Sequence, residues 1–358
     1  MNKIEIFVPA KFTTAPLDTA ELETKTNKRW QYASFGRVSL FHILKNLSLQ
    51  RILVPVYICA SILEPLKKLG MIPVFYDLDK RDLNASLESI EYLSEKYNIK
   101  VVLVASMYGN AADLVEIERY CKEREIFLID DSAQSFGAIL EGRMVGTFGN
   151  AGFFSFSPGK PTAGHMGSLF WSDKNITIKR SASCLFHYLK WKDFQLNRLY
   201  RYERKRYATF INYVIRMYSR VYDSYNDDIC KFEYEILGGI VKDLFEGKFD
   251  FRKVYQEAFY NRFGTNNYFR VVRHLRGEPS PHKLVMLFHC RIQAENFQNY
   301  LFDNKIFSMK GYQMLSNDFT YLPNAKEVEG KIVELPIEDE CEKMNYLFKK
   351  VEAFVYNH

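Results

Sequence analysis

The sequence predicts an α/β protein, with a larger domain on a mostly parallel sheet followed by a smaller α+β domain. Three observations carry that expectation. Short apolar runs alternate with amphipathic stretches from residue 34 to residue 172. One of those runs, Val101–Ala105 (VVLVA), has the unbroken apolar character of a strand covered on both faces. From about Tyr268 onward, strand-like and helix-like pieces alternate again on a smaller scale.

In chain order, Val38–Leu47 has apolar residues at helical spacing and Arg51–Tyr57 (RILVPVY) reads as a strand. Ser61–Leu69 reads as a helix and Met71–Tyr76 as a strand. Leu87–Tyr97 is helical, Lys100–Ala105 a buried strand, Asp113–Arg124 a helix and Ile126–Asp130 (IFLID) a strand. Strands that alternate with helices of this length pair in parallel through right-handed crossovers. Gly152–Phe156 and Gly167–Trp171 follow as two strands around a Gly/Pro loop, SPGKPTAGHM. Residues 176–245 read as helical, aromatic and basic. The tail then offers strands in YFRVV, KLVMLF and KIVEL and helices over Gln293–Phe302 and Glu342–Val355. The expected division is 1–240, including the basic aromatic helical segment at about 176–240, and 241–358.

Composition narrows the class. Hydrophobic residues make up 47% and charged ones 26% of the 358, which excludes disordered and collagen-like chains. The formal net charge of +6 suits phosphate-bearing ligands without demanding nucleic acid. Six cysteines (59, 121, 184, 230, 290, 341) lie far apart with no CxxC pair, so free thiols in a reducing compartment are expected and no metal site is. The N-terminus lacks a secretory pattern, and the apolar runs fall far short of the roughly 20 residues of a membrane helix. A cytoplasmic protein is expected.

Several residues point to chemistry. The strand IFLID runs into Asp131-Ser132-Ala133-Gln134, which puts two carboxylates at the carboxyl end of a parallel strand, where α/β sheets bind ligands. Ser155 stands five residues before Lys160 in SFSPGK. Gly36 and Arg37 open a helix, a position that suits an anion. Each feature also has an ordinary reading: a capping aspartate, a solvated lysine, a helix start.

Taken in order, the runs VPVYICASILEPLKKLGMIPVFYDLD, SMYGNAADL, LIDDSAQSFGA and GRMVGTFGNAGFFSFSPGK resemble the DegT family. Its members are fold-type I pyridoxal-phosphate aminotransferases, most of them acting on nucleotide-linked keto-sugars. The resemblance is collinear over residues 34–173. It implies a mostly parallel seven-stranded sheet flanked by helices, pyridoxal 5'-phosphate as cofactor, and a homodimer. It also implies roles. Lys160 falls where the family's Schiff-base lysine stands, and Asp131 where its ring-nitrogen aspartate stands; Asp130 falls where a glutamate is common. Gln134 matches a partner for the ring hydroxyl and Ser155 a phosphate-binding serine, with Gly36 and Arg37 completing the phosphate cradle.

The sequence also departs from the family. Cys59 stands where an aromatic usually covers the cofactor, with Tyr57 two residues earlier as a substitute. Ser106 replaces a histidine, and Met166 and Ser168 replace an acid and a glycine. The motif that reaches the neighbouring subunit's site is reduced to FDFR, leaving Asp250 and Arg252 as substrate-side candidates beside His165 of the lysine loop.

Residues 190–220 carry nine Lys/Arg against Asp193 and Glu203, with tyrosines interleaved. This stretch reads as a solvated helical face, a wall for a diphosphate, or a peripheral contact with an anionic membrane. No nucleic-acid partner is expected. The resulting expectation is an aminotransferase that moves an amino group from an amino acid, with glutamate the family's usual donor, onto a nucleotide-linked keto-sugar of amino-sugar or surface-polysaccharide synthesis. A dehydratase or lyase on the same fold and a non-catalytic binding protein are the alternatives.

Overall fold

The computed structural model describes residues 14–157, 160, 167–178 and 231–357. A seven-stranded sheet occupies the first half. Its strands are β1 (Gln31–Ala33), β2 (Arg51–Pro55), β3 (Ile72–Tyr76), β4 (Val101–Ala105), β5 (Phe127–Asp131), β8 (Ala151–Ser155) and β9 (Ser168–Ser172), in the order β1-β9-β8-β5-β4-β2-β3. Five of them, β3, β2, β4, β5 and β8, run parallel, while β9 and β1 add antiparallel to one side. A small hairpin, β6 (Ile139–Leu140) and β7 (Arg143–Met144), fills the β5–β8 connection.

The reason for the parallel core is visible along β4. Val101, Leu103 and Ala105 pack into one cluster with Val38, Leu40 and Ile43 of α2 (Gly36–Leu44) and Leu66 of α3 (Leu63–Leu69). Val102 and Val104 pack on the opposite face with Ile90 and Leu93 of α4 (Leu87–Tyr97) and Leu114 and Ile117 of α5 (Leu114–Glu123). Period-2 alternation sends successive apolar side chains to opposite faces, so an all-apolar strand needs helices on both. Asn98 ends α4 in the left-handed conformation, and Ser86 caps its start by accepting from the Ser89 amide at 3.2 Å.

The second half carries a four-stranded antiparallel sheet, order β10-β11-β13-β12, from β10 (Phe269–Val271), β11 (Lys283–Phe288), β12 (Met309–Lys310) and β13 (Ile332–Pro336). On one face Leu284, Met286, Val333 and Leu335 pack against Phe259 and Phe263 of α7 (Phe251–Phe263), Phe297 and Leu301 of α8 (Arg291–Asp303), and Leu347 and Val351 of α10 (Cys341–Asn357). Val285 and Ile332, of opposite parity, join the core of the first sheet together with Ala325 and Val328 of α9 (Pro323–Val328). The two sheets therefore share a buried junction.

Differences from the sequence reading are mostly short or remote in origin. Strands β1 and β12 have three and two residues, too few to show periodicity. Residues 176–178 have no regular structure, and helix α6 takes Lys231–Phe245; most of the expected basic segment, including 190–220, lies outside the described residues. Helix α6 runs through residue 240, and Ile236, Leu237, Ile240 and Val241 pack with Trp30, Phe154 and Trp171 of the first half. The expected boundary at 240 falls within this helix. No helix among the described residues is long and apolar enough to cross a membrane.

Candidate active site

The carboxyl ends of β4, β5 and β8 lie side by side, with Ala105 opposite Asp131 and Asp131 opposite Phe153. A cavity of about 260 Å³ opens beyond them. Its walls include Gly36, Arg37, Cys59, Asp131, Gln134, Ser155 and Lys160, so seven residues singled out in the sequence meet in one cleft.

Successive aspartates at the end of β5 take different jobs because strand residues alternate sides. Asp130 is fully enclosed: Ser132 Oγ donates to it at 2.9 Å, and the amides of Gly146 and Phe148 donate to its other oxygen at 2.6 and 3.2 Å. It ties the strand to the following loop. Asp131 faces the cleft and, among the described residues, accepts only from the Ala133 amide, at 3.0 Å. Burial pushes its carboxyl up to about 6, while the nearby Lys160 ammonium pulls the other way. Burial lowers the Lys160 amine from its ordinary range, against the attraction of Asp131. A buried lysine so placed is a nucleophilic amine.

At the other side of the cleft, helix α2 begins with no side-chain cap among the described residues and no acidic residue in its first turn. A Cβ on Gly36 would sit 3.2 Å from Ser155 Cβ and 3.4 Å from its Oγ, so glycine keeps the space between the helix start and that hydroxyl open. Backbone N–H groups, a helix N-terminus and a serine hydroxyl make a cradle for a phosphate-like anion. Arg37 is less free than the sequence suggests. Its Nε lies 3.0 Å from the Glu64 carboxylate, and its guanidinium sits 4.2 Å from the Phe35 ring centroid. Cys59 lines the cleft with its thiol 3.2 Å from Ser61 Oγ. The cleft therefore offers an anion cradle, a buried carboxylate and a buried amine.

Three expected residues stand apart from these walls. Tyr57 is buried, its hydroxyl 2.5 Å from that of Tyr108, because residues 56 and 57 pair with the segment around Met314 and Leu315. Asp250 lies exposed at the start of α7, 3.7 Å from Lys253, and the Arg252 guanidinium sits over Phe249 at 4.7 Å; neither lines the cleft. His165 lies outside the described residues, as does Met166. Ser168 has a structural explanation: buried between α2 and β8, it bonds Ser39 Oγ at 2.8 Å and donates to the Phe154 carbonyl at 2.5 Å.

Sequence reading missed the residues behind the cleft. Tyr108, Tyr312, Lys283 and Glu334 form a polar group at the junction of the two sheets. His282 lies beside them, 6.3 Å from the Tyr108 ring, with neither ring nitrogen bonded among the described residues. Burial and the charges of Lys283, Arg252 and Lys160 hold that imidazole neutral. Only the adjacency of Tyr108 to Gly109 in SMYGN hinted at a special position.

The strand-end cleft lies within a stretch whose sequence matches a known profile. Residues 37–195 match the model of the DegT/DnrJ/EryC1/StrS aminotransferase family. Among curated relatives, the GDP-perosamine synthase of Escherichia coli O157:H7 is 32% identical over 154 residues, covering 41% of this chain and 42% of that protein. The enzyme of the same name from Vibrio cholerae is 28% identical over 150 residues, 41% of each chain. The chain thus spans about two fifths of the length of these relatives. The fold likeness extends further. A DegT DnrJ EryC1 StrS aminotransferase from Brucella abortus superposes with a TM-score of 0.70 at 17% identity, over 94% of this chain and 89% of the other. A GDP-4-keto-6-deoxymannose-3-dehydratase with a trapped PLP-glutamate geminal diamine superposes at 0.66 and 18% identity, over 95% and 93%. The family's fold, a fold-type I architecture, is therefore present along nearly the whole chain.

Proposed function

We infer that this protein is a pyridoxal-phosphate-dependent aminotransferase that moves an amino group from an amino acid, with glutamate as donor, onto a nucleotide-linked keto-sugar. The observation that carries this reading is the convergence of Lys160, Asp131, Ser155 and the uncapped start of α2 on one cleft. The open space at Gly36 fits a phosphate, and the buried Asp131, with one bond among the described residues, fits a pyridinium nitrogen. When bound, the cofactor would supply an electron sink for the donor's α-carbon.

The chain's own residues would do the rest. Gly36, Arg37 and Ser155 would hold the phosphate, and Asp131 would keep the ring nitrogen protonated. Gln134 would face the ring hydroxyl. Lys160, its amine lowered by burial from the ordinary lysine range, would hold the cofactor covalently and then carry a proton as a base at Nζ. A pair of subunits would complete the substrate side, with Asp250 and Arg252 as candidates for that face and His165 for the lysine loop. The relatives named for GDP-perosamine support a GDP-linked keto-sugar as the first acceptor class to try. Anionic-membrane contact through 190–220 is a separate expectation, tested by vesicle binding.

A dehydratase is the second reading, because three structural neighbours are named for that reaction. Incubation with GDP- and UDP-linked 4-keto-sugars and 15N-glutamate separates the two. Transfer of 15N into the sugar supports the aminotransferase. Loss of water without 15N transfer supports the dehydratase, and loss of neither group in a protein that takes up no cofactor supports a binding role.

A further inference from the structure

Behind the cleft, five groups form a hydrogen-bonded chain with one direction. The Tyr312 amide donates to Tyr57 Oη at 3.2 Å, Tyr57 donates to Tyr108 Oη at 2.5 Å, and Tyr108 donates to Glu334 Oε1 at 2.7 Å. Lys283 Nζ donates to the other Glu334 oxygen, and both side chains are buried. Burial and the Glu334 charge raise both tyrosine hydroxyls, so they remain proton donors. Every donor in the chain thus ends on one carboxylate.

The same residues grip Gln134 at both ends of its carboxamide. The Tyr108 amide donates to Gln134 Oε1 at 3.4 Å, and Gln134 Nε2 donates to Tyr312 Oη at 3.4 Å. An amide nitrogen cannot replace Oε1 opposite the Tyr108 N–H, because two donors would face each other. The orientation of Gln134 is therefore dictated by where Tyr108 and Tyr312 sit. Tyr108 holds a positive φ of 59°, a conformation a tyrosine keeps only when its surroundings fix it. Tyr312 is fixed by the passage of Gly311 over Tyr57, where a Cβ would come within 2.4 Å of the hydroxyl.

We propose that the Lys283–Glu334 pair, acting through Tyr108 and Tyr57, is a positioning device that locks the carboxamide of Gln134, a residue of the cleft wall, in one orientation, with its oxygen on the Tyr108 amide and its nitrogen on Tyr312. Lys283 and Glu334 are positioning residues, since they act on the site through the tyrosines. The device lets the second sheet, through β11 and β13, set the polarity of a cleft built on the first. This inference rests on the functional reading above.

The test uses full-length protein loaded with pyridoxal phosphate and reads cofactor affinity, the pH midpoint of the cofactor's visible absorbance, and thermal stability. Removing both charges avoids an unpaired buried ion. Lys283→Met/Glu334→Leu is expected to melt within a few degrees of wild type, bind cofactor about tenfold more weakly, and shift the absorbance midpoint by at least half a pH unit. Lys283→Met/Glu334→Gln, which keeps an acceptor for Tyr108, is expected to restore both cofactor readouts. Tyr57→Phe cuts the chain without touching the ion pair and is expected to move the midpoint in the same direction by less; it carries the test if the Leu variant does not fold. A wild-type midpoint and affinity in the folded variants overturns the proposal while leaving the function intact. A wild-type protein that takes up no cofactor overturns the functional reading, and this one with it.

Discussion

The two ends of the buried polar system are built on opposite plans. In the cleft, among the described residues, Asp131 has one hydrogen bond and the start of α2 no side-chain cap, and Lys160 is buried beside a carboxylate. At the sheet junction, Glu334 takes bonds from Tyr108 and Lys283, and each tyrosine hydroxyl donates a hydrogen bond to the next group. Unsatisfied groups at strand ends await a ligand; satisfied groups at the junction set geometry. Substitutions should therefore fail differently in the two regions.

The largest contrast comes from Lys160→Ala. It should abolish covalent cofactor retention and turnover while leaving the thermal midpoint within a few degrees, measured by absorbance and by calorimetry. A midpoint drop as large as that of a core substitution would place Lys160 among the structural groups.

Next in size, Glu334→Leu alone should destabilise the fold by about 3–5 kcal/mol, because it strands the Lys283 ammonium in the interior. Urea unfolding measures this directly. A loss below about 1 kcal/mol would mean that the pair is solvated in solution.

Asp131→Asn and Asp130→Asn sharpen the comparison within two adjacent residues. Asp131→Asn should lower kcat by roughly 10²–10³-fold, the scale of losing one preorganised electrostatic partner. Asp130→Asn should change kcat little, since Asn can still accept from the Gly146 and Phe148 amides. The reverse ranking would exchange their roles.

The smallest effect concerns pH. Burial raises the Asp130 carboxyl to about 7, against an ordinary 3.8 in the unfolded chain. The folded protein then keeps a proton that the unfolded chain releases between about pH 4 and 7. This group's contribution is present at low pH and is lost as pH rises through 7. Thermal midpoints of wild type and Asp130→Asn, followed from pH 5 to 7.5, should diverge with wild type falling faster. Parallel curves would show that Asp130 titrates normally.

The cleft was legible because its parts are local. Asp131 ends a strand, Ser155 ends another, and Gly36 opens a helix, so short patterns locate each one. The junction was not, because residues 57, 108, 283, 312 and 334 meet only through pairing of remote segments. Lys283 opens the apolar run KLVMLF and Glu334 interrupts IVELP; in sequence both look like solvent-facing charges on strands. Tyr57 shows the same limit. Two residues from Cys59, it suited the cofactor's face, yet the bridge to Met314 turns it into the junction. The parallel core was readable from VVLVA and IFLID, whereas β1 and β12 are too short to leave a pattern.

The most direct test of the account is borohydride reduction of the cofactor-loaded protein followed by peptide mapping. The account predicts a single pyridoxyl-modified lysine, Lys160, with yellow absorbance lost on reduction. Modification at another lysine, or a protein that stays colourless in excess pyridoxal phosphate, would contradict it.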